Sequence, residues 1–70
     1  MPDIGINTDH ISLVQAVKMT GLAGSGGQAK HLIREGGVSV NGATEKQPGR
    51  KLVAGDRIRI RDGEEWTVGH

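Results

Sequence analysis

The chain has 70 residues, a formal net charge of +1 and no cysteine. That length supports one thin hydrophobic core and leaves no room for a second domain, while the absence of thiols excludes a disulfide framework and a thiolate zinc site. No apolar run approaches the roughly 18 residues that span a bilayer, and MPDIGINTDH lacks the basic and apolar regions of a secretion signal, so a cytoplasmic location without a membrane partner is expected.

Ile4 and Ile6 alternate ahead of Asn7 and predict a short strand. Ser12-Leu13-Val14-Gln15 has the form of a capping box, a hydroxyl that accepts from the backbone three residues on and an amide that reaches back. Leu13, Ala16, Val17 and Thr20 then fall on one helical stripe, and Gly21 supplies a stop, so helix one is expected over residues 13 to 20. Ser25-Gly26-Gly27-Gln28 repeats the same signature and predicts a second helix to about Glu35, ended by Gly36. Ala29, Leu32 and Ile33 form its buried side, and Gly27, Lys30, His31 and Arg34 the other. Lys30 and Arg34 are four residues apart and repel slightly, a cost that makes sense if their face meets an anion.

Val38 and Val40 alternate before Asn41-Gly42, the strongest short hairpin signal, and the chain should return antiparallel from Ala43. Gln47-Pro48-Gly49 breaks the run, Leu52-Val53 is a brief apolar pair, and Ala54-Gly55-Asp56 turns into a strand over residues 57 to 61. There Ile58 and Ile60 should point one way and Arg57, Arg59 and Arg61 the other. Trp66 to Val68 completes the series. The expected fold is a single α+β domain over residues 1 to 70: two packed helices followed by a small antiparallel sheet.

Charge is unevenly spread. Residues 30 to 61 carry eight basic side chains against three acidic ones, a local charge of +5, whereas residues 62 to 70 carry three acids and no base. Such asymmetry points to a surface that faces a polyanion.

GLAGSGGQAKHLIREGGVSVNG, followed later by KLVAGDRI, resembles the small RNA-binding domain first named for ribosomal small-subunit protein S-four, with its αL motif. The resemblance is carried by Gly21-Leu22, Ser25, Ala29-Lys30, Leu32-Ile33, Gly36, Val38-Ser39-Val40-Asn41-Gly42 and Gly55-Asp56, and covers about residues 12 to 60. Many members have an arginine directly after the helix-two serine, where this chain has Gly26. The Ser-Gly-Gly-Gln-Ala-Lys form is instead similar to the stand-alone bacterial YbcJ-like branch. The resemblance implies that the helix-two face and the adjoining strands contact RNA.

Catalytic chemistry has no foothold. His10, His31 and His70 are scattered, without a paired nucleophile or a metal-ligand spacing. Gly24-Ser25-Gly26-Gly27 lacks the Walker spacing of a nucleotide-phosphate loop. No enzyme activity, cofactor or metal is expected. With no Phe, no Tyr and one Trp, the chain cannot build an aromatic platform for unstacked bases. Trp66, beside Glu64 and Glu65, is expected to be a packing anchor.

Charge and shape therefore favour structured or double-helical RNA, ribosomal RNA included, held through phosphates and 2′-hydroxyls. The candidate surface comprises Ser25, Gly26, Gly27, Gln28, Lys30, His31 and Arg34, extended by Lys46, Arg50 and Lys51 on the sheet-side loop. Arg57, Arg59 and Arg61 rank lower, as the solvent face of a strand. A protein-interaction module that docks an acidic partner on a ribosomal particle is the alternative. Gly26 and Gly27 leave two explanations open: bare backbone that lets a phosphate approach the first helical N–H groups, or close packing against helix one.

Overall fold

The structure, a computed structural model, describes residues 3–6 and 8–69; Asn7 and His70, both named above, lie outside the described residues. Chain order is β1 (Asp3–Gly5), β2 (Ile11–Ser12), α1 (Leu13–Met19), α2 (Gly26–Arg34), β3 (Val38–Val40), β4 (Ala43–Thr44), β5 (Lys51–Leu52), β6 (Arg57–Ile60) and β7 (Glu65–Gly69). The two helices and an antiparallel-rich sheet match the expected α+β class.

The main sheet has five strands in the order β1-β7-β6-β3-β4. Its pairs are antiparallel except the outermost, where β1 runs parallel to β7 with Ile4 opposite Val68. That parallel pair, and a separate two-stranded ribbon pairing Ile11 with Leu52 and Ser12 with Lys51, were not expected. The ribbon explains the Leu52-Val53 pair: Leu52 is fully buried and Val53 exposed.

Alternation decides the faces. Val38 and Val40 lie opposite Ile60 and Ile58, and Trp66 lies opposite Ile58, all on the inner face. Leu13, Ala16 and Val17 from α1 and Ala29 and Ile33 from α2 join this face in one core, in which no polar or charged side chain is buried among the described residues. Trp66 is half-buried against that core, the anchoring role expected of it. Leu32 is only partly buried. Arg57 and Arg59 point outward, but the expectation that Arg61 shares their strand is corrected. Arg61 leaves β6 with φ +54° and turns its guanidinium to Glu35.

Local chemistry sets the boundaries. Ser12 and Gln15 form the full reciprocal box at the start of α1. The end of α2 is a Schellman motif: Gly36 takes φ +87°, its N–H reaches the Ile33 carbonyl at 3.1 Å, and the Gly37 N–H reaches that of Leu32 at 2.9 Å. Asn41-Gly42 turns the hairpin with φ of 52° and 88°. The Asn41 amide then ties the turn to the next connection. It donates to Asp56 Oδ1 at 3.2 Å and accepts the Arg57 N–H at 2.9 Å, while Asp56 Oδ2 accepts the Val53 N–H at 2.9 Å. Asn41 and Asp56, both in the quoted family pattern, are thus joints of the fold.

Candidate nucleic-acid interface

Both helices open on a serine cap, and the two openings differ in what meets the next N–H groups. In α1 the Leu13 and Val14 N–H groups donate to the carbonyls of Arg50 and Pro48 at 2.8 and 3.0 Å. The loop before β5 therefore closes that helix end. In α2, Ser25 Oγ accepts the Gln28 N–H at 3.2 Å and the Ser25 carbonyl accepts the Ala29 N–H at 3.0 Å. The Gly26 and Gly27 N–H groups have no intrahelical acceptor by position and meet none elsewhere among the described residues.

The expected reciprocal box at this second cap is altered. The Gln28 side chain passes over Ser25 and accepts the Gly24 N–H at 2.6 Å. It braces the loop that enters the helix and leaves the first helical donors open.

Packing does not demand the two glycines. A β-carbon at Gly26 would come no closer than 3.9 Å, to Lys18 Cδ, and one at Gly27 no closer than 3.8 Å, to Ser25 Oγ. These are ordinary van der Waals distances. Of the two explanations left open for these glycines, close packing against helix one gains nothing from these distances.

The neighbour of Gly26 is a residue that the sequence-based set omits. Lys18, in the last turn of α1, is exposed and lies alongside the start of α2. The sequence around it offers no signal, because only the packing of the two helices brings it there. Lys30 and Arg34 are exposed on α2 and, like Lys18, make no ion pair among the described residues. The open N–H groups, the positive end of the helix dipole and three unpaired cations thus belong to one helical layer.

The remaining candidates are placed elsewhere or are engaged. His31 Nε2 lies 3.3 Å from Glu35 Oε2, and the other oxygen of Glu35 accepts from Arg61. Arg50 donates to Glu45 at 2.6 Å. That guanidinium is the main reason the Glu45 carboxyl is held below its ordinary value of 4.5; desolvation opposes it, and the Gln47 and Lys46 N–H groups add to it. Glu45 thereby shapes the loop that closes α1, and Arg50 serves it. Lys51 is exposed beside Ser12, at the end of α1 remote from Gly26. Lys46 lies by Gly36, its Cε 3.6 Å from where a β-carbon there would stand. Since α2 has nine residues, Lys46 is about 14 Å of helix away from Gly26.

Among the described residues no cluster of three or more His, Asp or Glu side chains is placed to hold a metal ion, and no helix is long and apolar enough to cross a membrane.

Comparison with known proteins gives a consistent set of likenesses. A family model described as the S4 domain matches residues 4–69. RlbA of Bacillus subtilis, whose name assigns it to ribosome maturation, is 40% identical over 65 residues, covering 93% of this chain and 92% of its own. YbcJ of Escherichia coli, whose name assigns it to RNA binding, is 43% identical over 49 residues, 70% of each chain. The solution structure of YbcJ, described as having an αL motif involved in RNA binding, superposes with a TM-score of 0.73 at 34% identity, covering all of this chain and 89% of that one. A tyrosine–tRNA ligase of Novosphingobium aromaticivorans is 30% identical over 66 residues, which make up 16% of that enzyme.

Proposed function

The chain belongs to the S4 domain family, and from that premise we propose that it is a non-catalytic RNA-binding protein that holds structured RNA, ribosomal RNA foremost, at the start of α2. The observation that carries the reading is the difference between the two helix openings. The chain's own carbonyls occupy the first donors of α1, whereas those of Gly26 and Gly27 stay open beside Lys18, with Lys30 about one turn along α2 and Arg34 at its last residue. A phosphate oxygen approaching there gains two backbone donors, the helix dipole and nearby positive charge at once. Ser25 and Gln28 set the geometry, and Lys51 continues the basic character along α1. Arg50 contributes by fixing the loop and Lys46 lies at the far end of the helix. The naming of RlbA for ribosome maturation supports an rRNA target, and the lack of Phe and Tyr supports recognition of the RNA backbone rather than its bases.

A mobility-shift titration of rRNA fragments against salt tests this. Affinity should fall steeply with salt, and Lys18→Ala/Lys30→Ala/Arg34→Ala should lower the log–log slope by about 0.7–0.9 for each phosphate no longer neutralised. Lys51→Ala added to that variant should lower affinity further. An unchanged slope would remove the site assignment. Retention on ribosomal particles after nuclease treatment, without affinity for naked RNA, would favour the acidic-protein alternative.

A further inference from the structure

The face of the sheet turned away from the helices holds a second group of cations and donors. A shallow hollow of about 220 Å³ lies there, bounded by Gly36, Gly37 and Val38 at the base of β3 and by Ser39, Thr44, Arg59 and Arg61. Strand register explains its chemistry. Thr44 lies opposite Ser39, and Ser39 opposite Arg59, so two hydroxyls and a guanidinium form a row across three strands. Their neighbours along the strands, Val38, Val40, Ile58 and Ile60, are buried, so this row faces outward. Lys46 runs along the rim, since its Cε and Thr44 Cγ2 both lie within 4 Å of the β-carbon position of Gly36.

The nearby acids are already engaged. Glu65, the cross-strand neighbour of Arg59, lies 3.7 Å from Arg57, and Glu35 bonds Arg61 and His31. Arg59 and Lys46 make no ion pair among the described residues. A guanidinium, an ammonium and two hydroxyls around an open hollow suit a tetrahedral oxyanion on a chain, a phosphodiester, better than a carboxylate. Hydroxyls and guanidinium donate to several of its oxygens together.

We propose that this hollow is a second RNA-backbone site, centred on Arg59 with Ser39, Thr44 and Lys46, and that the domain holds two RNA segments on opposite faces. The proposal rests on the reading that the protein binds RNA, but not on where the helical site lies.

Amide chemical-shift mapping with a short RNA duplex tests it, with polyglutamate as the comparison polyanion. In the unaltered protein the amides of Ser39, Thr44 and Arg59 should shift as duplex is added. In Lys30→Ala/Arg34→Ala the shifts over residues 26 to 34 should vanish while those three persist. In Arg59→Ala, and independently in Lys46→Ala, which leaves the strand ladder untouched, the reverse should hold. Capture of a second, labelled duplex by protein bound to an immobilised one should fail in either class of variant. Absence of shifts at the three amides overturns the proposal, as does their disappearance together with those of α2, or an equal response to polyglutamate. Shifts confined to the sheet face would remove the helical assignment and leave this one standing. No response to RNA anywhere would remove both.

Discussion

Gly37 stands so close to Leu32 that a β-carbon on it would lie 2.7 Å from Leu32 Cδ1 and 3.1 Å from the Leu32 carbonyl oxygen. The chain thus contains two Gly-Gly pairs with opposite reasons for being there. Gly36 and Gly37 are demanded by backbone conformation and close approach. Gly26 and Gly27 are demanded by neither.

Gly37→Ala should therefore destabilise by about 1–3 kcal/mol, the range for overpacking a filled site. Gly36→Ala should cost about 1–2 kcal/mol for a side chain in the left-handed region. Thermal unfolding followed by circular dichroism checks both, since each kcal/mol moves the midpoint of a domain this size by about 4–8 °C.

Gly26→Ala/Gly27→Ala should leave the fold intact and raise stability slightly, by about 0.4–1 kcal/mol per site through the unfolded chain. If phosphate reaches the first N–H groups of α2, the same variant should weaken RNA binding. Unfolding and mobility-shift titration on one preparation separate the effects. Reduced stability with unchanged affinity would return these glycines to packing.

Asn41→Ala removes one group from a joint that connects the hairpin turn to residues 53 to 57 and places alanine at φ +52°. A destabilisation of about 1–3 kcal/mol is expected. Binding at the α2 opening, followed by RNA-induced amide shifts over residues 26 to 34 well below the new midpoint, should be unchanged, because the joint lies away from that helix end.

Glu45 has its pKa lowered in the folded chain by Arg50, then by the Gln47 and Lys46 N–H groups. A depressed carboxyl contributes stability that is complete above its ordinary value of 4.5 and is lost as pH falls below that value through the folded one. Glu45→Gln should remove this part of the acid dependence. Denaturation of the two proteins should differ most above pH 4.5 and converge in more acid solution. A gap that stays constant with pH would contradict the assignment.

How far the sequence reveals this molecule depends on distance along the chain. Ser12 with Gln15, Ser25 with Gln28 and Asn41 with Gly42 are local signals, and each marks a boundary in the structure. The partner of the Gln28 amide is one residue away from the expected one, because a side chain chooses between the Ser25 and Gly24 N–H groups only when the entering loop is in place. β2 and β5 have two residues each, too few to show a period. Ile4 and Val68 are partners with almost the whole chain between them, and nothing local announces that. The same holds for the candidate interface. Lys30 and Arg34 are legible because one helix positions both, whereas Lys18 and Lys46 owe their places to helix packing and to the path of a loop.

The parallel pairing of β1 with β7 has a consequence for how the molecule comes into being. β7 is an inner strand of the sheet, between β1 and β6, yet it is synthesised after all the other elements. Until it arrives, Ile4 has no strand beside it and Ile58 lacks Trp66. Closing a loop that runs from one side of the domain to the other must precede the gain from those pairings. Folding is therefore expected to be late and slow for so small a chain, with the two helices formed early and the sheet completed only once β7 has left the ribosome.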